Sequence, residues 1–395
     1  MSSLVVFPFK SEDVEIFTRN IREALSHPAV GSVLCIGLEK NECYRAVADL
    51  AATESRLDVI VQDRLGSKRP GKGDGMNTGL HFFLDQTEYE RLHFYDSDIK
   101  TFTRVWIVRA EEAADEGYQV VRHYFPRAST DAMITWMITK TGFATVAPHT
   151  QLSHIEQPLG GELLITREVA EMLYQDENVL AQSDWGIDTV YTWKMFHNGF
   201  SLYETYQEAG KIHKLYSQLT DIKTMLIECF AAIQSLREAQ LTARAIRHDI
   251  EQPKAVPESV KQKTAYDIEG TMGLLMEDWT ERQAHLLDYF PDTIRAAMRQ
   301  CQIKPRFGFM DEAAWFTVYN ILLDHFDVED EDWQNLLFKF WVARVLDYTT
   351  QSALRGYDYA ISHLHGMIEQ YRMESLRILE ARSRARRRTK LSGVG

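Results

Sequence analysis

The feature that most restricts the fold is a regular exchange of apolar runs and helical patterns over the first hundred residues. Leu4-Val5-Val6-Phe7-Pro8-Phe9, with the strand ending at Pro8, Val33–Gly37, Leu57–Val61 and residues 91–95 read as buried strands. Helical spacing fills residues 12–26, 41–52 and 76–87 between them. A strand-helix-strand alternation predicts a mainly parallel sheet covered by helices. Right-handed crossovers then bring the strand ends to one edge. Further on, a helix over 103–115, a strand near 118–123, an apolar helix over 131–141, a helix over 188–198 and a last strand at Ser201–Glu204 are expected. Open α/β sheets bind ligands beyond the carboxyl ends of their strands, so the residues at those ends matter most.

The fourth strand, Leu92-His93-Phe94-Tyr95, stops at Asp96-Ser97-Asp98. Two carboxylates one residue apart suit a hard divalent cation that also bridges to phosphate. Asp and Ser also favour turns, so a plain turn is the competing reading. After the third strand, residues 62–77 hold four glycines and four basic residues. Glycine lets backbone N–H groups approach a phosphate, and a following helix start favours anions. The order is not that of a phosphate-binding Walker loop, and a mobile basic surface loop is the alternative.

Three later stretches carry chemistry. In Arg127-Ala128-Ser129-Thr130-Asp131, the arginine can grip a carboxylate or phosphate bidentately, while the hydroxyls or Asp131 can cap the next helix. Residues 157–162, Gln-Pro-Leu-Gly-Gly-Glu, read as a tight turn that brings backbone near a ligand. In residues 183–188, Ser-Asp-Trp-Gly-Ile-Asp, one acid caps a helix and the other is left for chemistry.

The chain has 395 residues, enough for two domains, and 45% of them are hydrophobic. A net charge of −13 excludes a general nucleic-acid partner, though not one bound nucleotide. Cys35, Cys43, Cys229 and Cys301 lack metal spacing, and Cys35, in an apolar strand-like run, is expected as a reduced interior thiol. The first residues lack the pattern of a secretory signal and no window is apolar enough for a membrane span, so a soluble cytoplasmic protein is expected. The texture from about residue 213 is helical, which divides the chain into a sheet domain, 1–218, and a helical domain, 219–380, the latter also a candidate interface for a homo-oligomer. Residues 381–395 read as a basic disordered tail.

Residues 70–78 (PGKGDGMNT), 93–99 (HFYDSDI), 122–139 (RHYFPRASTDAMITWMIT), 156–164 (EQPLGGELL), 183–189 (SDWGIDT) and 210–216 (GKIHKLY) closely resemble the mannosylglycerate synthase family. The likeness continues through 225–236, 309–315 and 354–360, and so covers nearly the whole chain except the basic tail. It implies an α/β GT-A-type glycosyltransferase with a largely helical C-terminal region. It further implies retaining transfer of mannose from GDP-mannose to D-glycerate, or a similar small 2-hydroxy acid, to make the compatible solute mannosylglycerate. A divalent metal is implied, Mg²⁺ or Mn²⁺ with Ca²⁺ or Co²⁺ as alternatives; an imidazole ligand suits a Mn²⁺-like ion better than Ca²⁺.

Matched to that family, Asp98 and His213 are the expected metal ligands. Asp96 and Ser97 stand beside the donor ribose or sugar, with Pro8, Phe9 and Gln62 cradling the nucleoside and Lys72 near phosphate or sugar. Leu159, Gly160 and Gly161 line the sugar and acceptor pocket. Arg127 takes the acceptor carboxylate, supported by Asp131, Thr135, Tyr216 and Met225. Asp188 is the carboxylate for the anomeric face, as a nucleophile or as a group orienting sugar hydroxyls. Rival readings are a glucose-donor transferase, a sugar nucleotidyltransferase, and a sugar-nucleotide-binding protein without turnover.

Overall fold

The computed structural model describes residues 2–212, 219–237, 246–254, 256–277 and 279–392. The chain forms two compact units. The first contains Met1–Arg127, Ile155–Leu215 and Arg244–Pro257; the second contains Ala128–His154, Tyr216–Ala243 and Glu258–Gly395. The chain thus leaves and re-enters each unit, where the sequence pattern suggested one boundary at 218.

The first unit is built on eight strands: β1 (Ser3–Phe9), β2 (Val30–Gly37), β3 (Leu57–Val61), β4 (Arg91–Phe94), β5 (Val120–Tyr124), β6 (Leu163–Thr166), β7 (Leu202–Tyr206) and β8 (His248–Ile250). Their order is β3-β2-β1-β4-β6-β5-β7-β8. β6 runs antiparallel to both of its neighbours, β4 and β5, and every other pairing is parallel. The expected mainly parallel sheet is present, with two strands that the sequence pattern did not reveal. β6 hides because Leu163-Leu164-Ile165-Thr166 is too short a run to show a period. β8 is a three-residue edge strand containing His and Asp, the composition that keeps an edge from pairing further.

The same unit contains the helices α1 (Val14–Leu25), α2 (Glu42–Ala51), α3 (Lys72–Gln86), α4 (Arg104–Asp115) and α5 (Gly186–His197). Asp13 caps α1 by accepting from Glu15 N and Ile16 N. The helix buries Phe17, Ile21 and Ala24 completely. Phe17 packs edge-on against Phe7 of β1, with ring centroids 5.8 Å apart. Each such buried side chain contributes roughly 1.5–3 kcal/mol. α3 starts at Lys72, four residues before the expected helix start. Its glycines lower helix propensity by about 1 kcal/mol each and so mask the helical pattern.

The second unit is helical, as expected. In its helix Glu331–Gln351 every residue from Leu336 to Thr349 is buried, including Lys339, Arg344 and Asp347. A helix buried all round belongs at the centre of its unit. These buried charges have partners: Arg344 contacts Asp347 at 2.9 Å and Glu312 at 2.7 Å, and Lys339 Nζ donates to the carbonyls of Leu274 and Glu277. The expected apolar helix near 131–141 begins with a wide π-helical turn, Thr135–Lys140. Such turns leave carbonyls without their ordinary helical partners. Here Trp315 Nε1 donates to Met137 O at 3.1 Å and Tyr319 Oη to Ile138 O at 2.7 Å. The last helix runs Tyr357–Ser392 and covers most of the segment expected as a disordered tail. All four cysteines are buried and outside any disulfide, which agrees with the interior thiol expected at Cys35. Among the described residues no helix is long and apolar enough to cross a membrane.

Candidate active site

The Asp96-Ser97-Asp98 loop leaves β4 and is held from three sides. Tyr95 N donates to Val6 O at 3.1 Å. Ser97 Oγ donates to Pro8 O at 3.1 Å, so the buried hydroxyl fastens the loop to β1. Asn20, fully buried on α1, donates to the carbonyls of Ser97 at 3.1 Å and Ile99 at 2.9 Å. With its neighbours anchored this way, Asp96 leaves the strand at a set position and remains half-buried, as does Asp98.

The glycine-rich stretch, exposed over most of residues 63–70, is tied to the body of its unit. Asp74, fully buried, accepts from Leu65 N at 3.1 Å and Gly66 N at 2.7 Å, and pairs with Arg64. The start of α3 packs onto residues 182–184. A methyl group on Gly71 would lie 2.2 Å from Asp184 Cγ, and one on Gly73 would lie 2.4 Å from Gln182 O. Asp184 accepts from Lys72 N at 3.1 Å and pairs with Arg69. Asp184 therefore takes the anchoring role and leaves Asp188, two residues into α5, for the site. Burial raises the Asp184 carboxyl above its ordinary range, against the pull of Arg69 and Lys72.

These anchors bring Lys72 to the carboxyl edge of β4. Its Nζ lies 3.0 Å from Asp188 Oδ2 and 3.5 Å from Asp96 Oδ1. Burial opposes the charge on Lys72, but Asp188, Asp96 and Glu162 outweigh it and hold the ammonium well above its ordinary pKa. Gly161 closes the approach: a methyl group there would sit 2.4 Å from Lys72 Nζ and 2.8 Å from Asp96 Oδ1. The turn carrying it is stapled from below. Arg122, buried on β5, donates to Gln157 O at 3.3 Å, Gly160 O at 2.9 Å and Thr192 Oγ1 at 2.6 Å. Glu204 accepts from Glu156 N at 2.8 Å and Gln157 N at 3.3 Å.

Two residues not singled out from the sequence complete the cluster. Lys211 Nζ lies 2.5 Å from Asp96 Oδ2 and 2.6 Å from Glu162 Oε1. Both residues stand inside the family-like strings Gly210-Lys-Ile-His-Lys-Leu-Tyr216 and Glu156–Leu164, but nothing in their spacing marks a contact 49 residues apart.

Gln62 follows β3, and its buried amide nitrogen has no hydrogen-bond partner among the described residues. The ring of Phe9 is buried against Phe17 and Tyr44, and its backbone carbonyl accepts from Leu38 N at 3.0 Å. Leu159 is buried beside Gly160 and Gly161. The Arg127 guanidinium stacks over the Phe125 ring, 4.6 Å from its centroid, and Lys211 Nζ lies 6.0 Å from the same ring. Asp131, Thr135 and Met225 belong to the second unit. There Asp131 Oδ1 accepts from Ala132 N at 2.7 Å, Thr135 opens the π-helical turn, and Met225 is half-buried on Lys223–Leu236. His213 and Tyr216 lie outside the described residues.

Sequence relationships show what kind of chain carries this charged sheet edge. Residues 3–235 fit the family model described as the mannosylglycerate synthase GT domain, which makes this chain a glycosyltransferase. Residues 260–368 fit the mannosylglycerate synthase C-terminal domain. A mannosylglycerate synthase from Rhodothermus marinus is 55% identical over 378 residues, covering 94% of this chain and 95% of the relative. One from Selaginella moellendorffii is 50% identical over 380 residues, covering 94% and 90% respectively. The chain belongs to the mannosylglycerate synthase family. Among solved structures, mannosyl-3-phosphoglycerate synthase from Rubrobacter xylanophilus aligns with a TM-score of 0.49 at 16% identity, over 62% of this chain and 77% of that one.

Proposed function

We propose that the protein transfers mannose from GDP-mannose to D-glycerate with retention of configuration, assisted by a divalent metal. The observation that carries this reading is the run of ion pairs Asp96–Lys72–Asp188 at the carboxyl end of β4, in a chain 55% identical to a mannosylglycerate synthase.

A carboxylate and an imidazole are donors that suit a divalent ion. Among the described residues no group of three or more His, Cys, Asp or Glu is placed to enclose an ion. Asp98 and His213, joined by oxygens of the diphosphate, would supply the ligands. Ties between the two segments support that pairing: Lys100 N donates to Ile212 O at 2.7 Å, and Thr101 Oγ1 donates to Gly210 O at 2.7 Å. A bound divalent ion neutralises the charge that grows on departing GDP.

In the protein's own part of the reaction, Lys72 lies between Asp188 and Asp96, where its charge stabilises negative charge on the donor. Asp96 and Asp188 accept hydrogen bonds from sugar hydroxyls. The Lys72 contact, with near-complete burial, suits Asp188 to orienting the sugar rather than attacking it. The C1–O bond to GDP breaks, the acceptor hydroxyl oxygen bonds to C1 from the same face, and a leaving phosphate oxygen takes its proton. Arg127 holds the acceptor carboxylate, because a buried carboxylate needs a paired cation.

The test combines GDP-mannose, D-glycerate and a series of divalent ions, with the product and its anomeric configuration read by NMR. α-Mannosylglycerate is expected. An inverted product overturns the retaining reading, and turnover only with a glucose donor or with sugar phosphates moves the protein to another activity. Trapping a mannosyl-Asp188 adduct replaces the front-face path with double displacement.

A further inference from the structure

We infer that Lys211, anchored by Glu162, is a positioning residue that sets the orientation of Asp96 toward the donor sugar; this rests on the proposed donor site. The contacts form a chain of alternating charge: Glu162, Lys211, Asp96, Lys72, Asp188. Its four links measure 2.6, 2.5, 3.5 and 3.0 Å.

The two ends of this chain differ. Glu162 is fully buried, its Oε1 takes Lys211, and its Oε2 has no hydrogen-bond partner among the described residues. A buried carboxylate with one cationic partner cannot release that partner without leaving its own charge unpaired. Lys211 is therefore a fixed post. Its side chain is only 6% exposed, so it reaches Asp96 from the protein side. Asp96, with a side chain 32% exposed, is gripped at Oδ2 by this post and shares Oδ1 with Lys72. Both oxygens are held in direction, and the carboxylate cannot rotate without losing one lysine.

Backbone geometry closes the remaining freedom. Glu162 follows Gly161, the position at which a side chain would strike both Lys72 and Asp96. His123 N donates to Glu162 O at 3.2 Å, which ties the carboxylate's own backbone to β5. Gly210 and Ile212, on either side of Lys211, are tied to Thr101 and Lys100. Lys211 thus acts through Asp96 and need not touch substrate.

The test is a kinetic and binding comparison on the full-length protein with saturating Mn²⁺. For Lys211→Met, kcat with GDP-mannose and D-glycerate is expected to fall roughly 10²-fold, the effect of misplacing a reacting group by about an ångström. The affinity for GDP alone, read by calorimetry, is expected to stay within about twofold, since the role concerns the sugar half. Lys211→Arg is expected to recover most of the lost kcat. In an Asp96→Asn background Lys211→Met is expected to add little, because residues acting as a unit are not additive. If Lys211→Met leaves kcat unchanged, or multiplies fully with Asp96→Asn, the positioning role is overturned. Circular dichroism checks folding. If Lys211→Met does not fold, the pair Glu162→Gln with Lys211→Met removes both buried charges and carries the same comparison. A wild-type protein that does not turn over this donor and acceptor overturns the proposed function, and this inference with it. An active wild type with an indifferent Lys211 overturns this inference alone.

Discussion

Strand β4 has a charged network at each end, and the two differ in how completely their groups are satisfied. At its start Glu111 of α4 accepts from Ser3 Oγ at 2.5 Å, faces His93 Nε2 at 2.8 Å and pairs with Arg91. His93 Nδ1 contacts Tyr95 Oη at 3.1 Å, and Arg91 also reaches Asp115 at 2.7 Å. Burial works against the Glu111 charge, but His93, Ser3 and Arg91 outweigh it and hold the carboxyl down to about 2. At the far end the Asp96 cluster joins three carboxylates to two lysines, with Asp98 alongside and one buried oxygen of Glu162 lacking a donor among the described residues. A network in which both oxygens of the buried carboxylate have partners locks sheet to helix. A network whose buried Glu162 oxygen lacks a donor among the described residues keeps open hydrogen-bonding capacity, and perturbed groups of this kind are common at active sites.

Substitutions that separate the two ends should separate stability from turnover. The largest effect is expected from Glu111→Ala, which leaves Arg91 buried without its main partner; urea denaturation should report a loss of about 3–5 kcal/mol. Turnover per folded molecule should remain close to wild type, and a selective loss of kcat would erase the distinction between the two ends. Lys72→Met should instead strike turnover. Its kcat per folded molecule is expected to drop by about 10²–10³, or roughly 3–4 kcal/mol of transition-state stabilisation, and the denaturation midpoint should fall as well, because Asp188 is left buried without its lysine.

The pH dependence of stability sharpens the same contrast. Glu111 is held below its ordinary value of 4.5, at about 2. Its contribution is therefore fully present above that ordinary value and is lost as pH falls through the folded value. It amounts to roughly 3 kcal/mol at neutral pH. Urea denaturation from pH 6 down to pH 2 should show this decline in wild type and a shallower one in Glu111→Gln. Equal slopes would remove Glu111 from the stability account.

Smaller effects test how the site is held. Gly161→Ala pushes a methyl group against Lys72 and Asp96. It should cost on the order of 10-fold to 10²-fold in kcat through displacement of those groups, with the denaturation midpoint nearly unchanged. Asp13→Ala removes the cap of α1, the helix that carries Asn20 to the Asp96 loop. A stability loss of about 1 kcal/mol is expected, measured by urea denaturation.

Much of this arrangement is written locally. Apolar runs at 4–9, 33–37 and 57–61 are strands because continuous β-branched and aromatic residues suit a sheet covered on both faces. Asp96-Ser97-Asp98 ends its strand because carboxylates and serine suit a chain leaving a sheet, and the topology then brings that point to the ligand edge. Lys72, Asp96, Asp98, Arg127 and Asp188 could all be singled out from strings along the chain. Local patterns fail where long-range packing reverses a local preference. Glycines that weaken a helix in isolation begin α3 because residues 182–184 leave no room for side chains.

What only the tertiary structure decided is which of these charges meet. Glu162 and Lys211 look like ordinary solvated residues in sequence, yet the antiparallel insertion of β6 buries Glu162, and the ties of Gly210 and Ile212 bring Lys211 to it. Periodicity records which face of an element is apolar, a property of neighbours in the chain. Pairing of buried charges depends on elements far apart in sequence, where desolvation makes each unpaired group costly and so selects the partner.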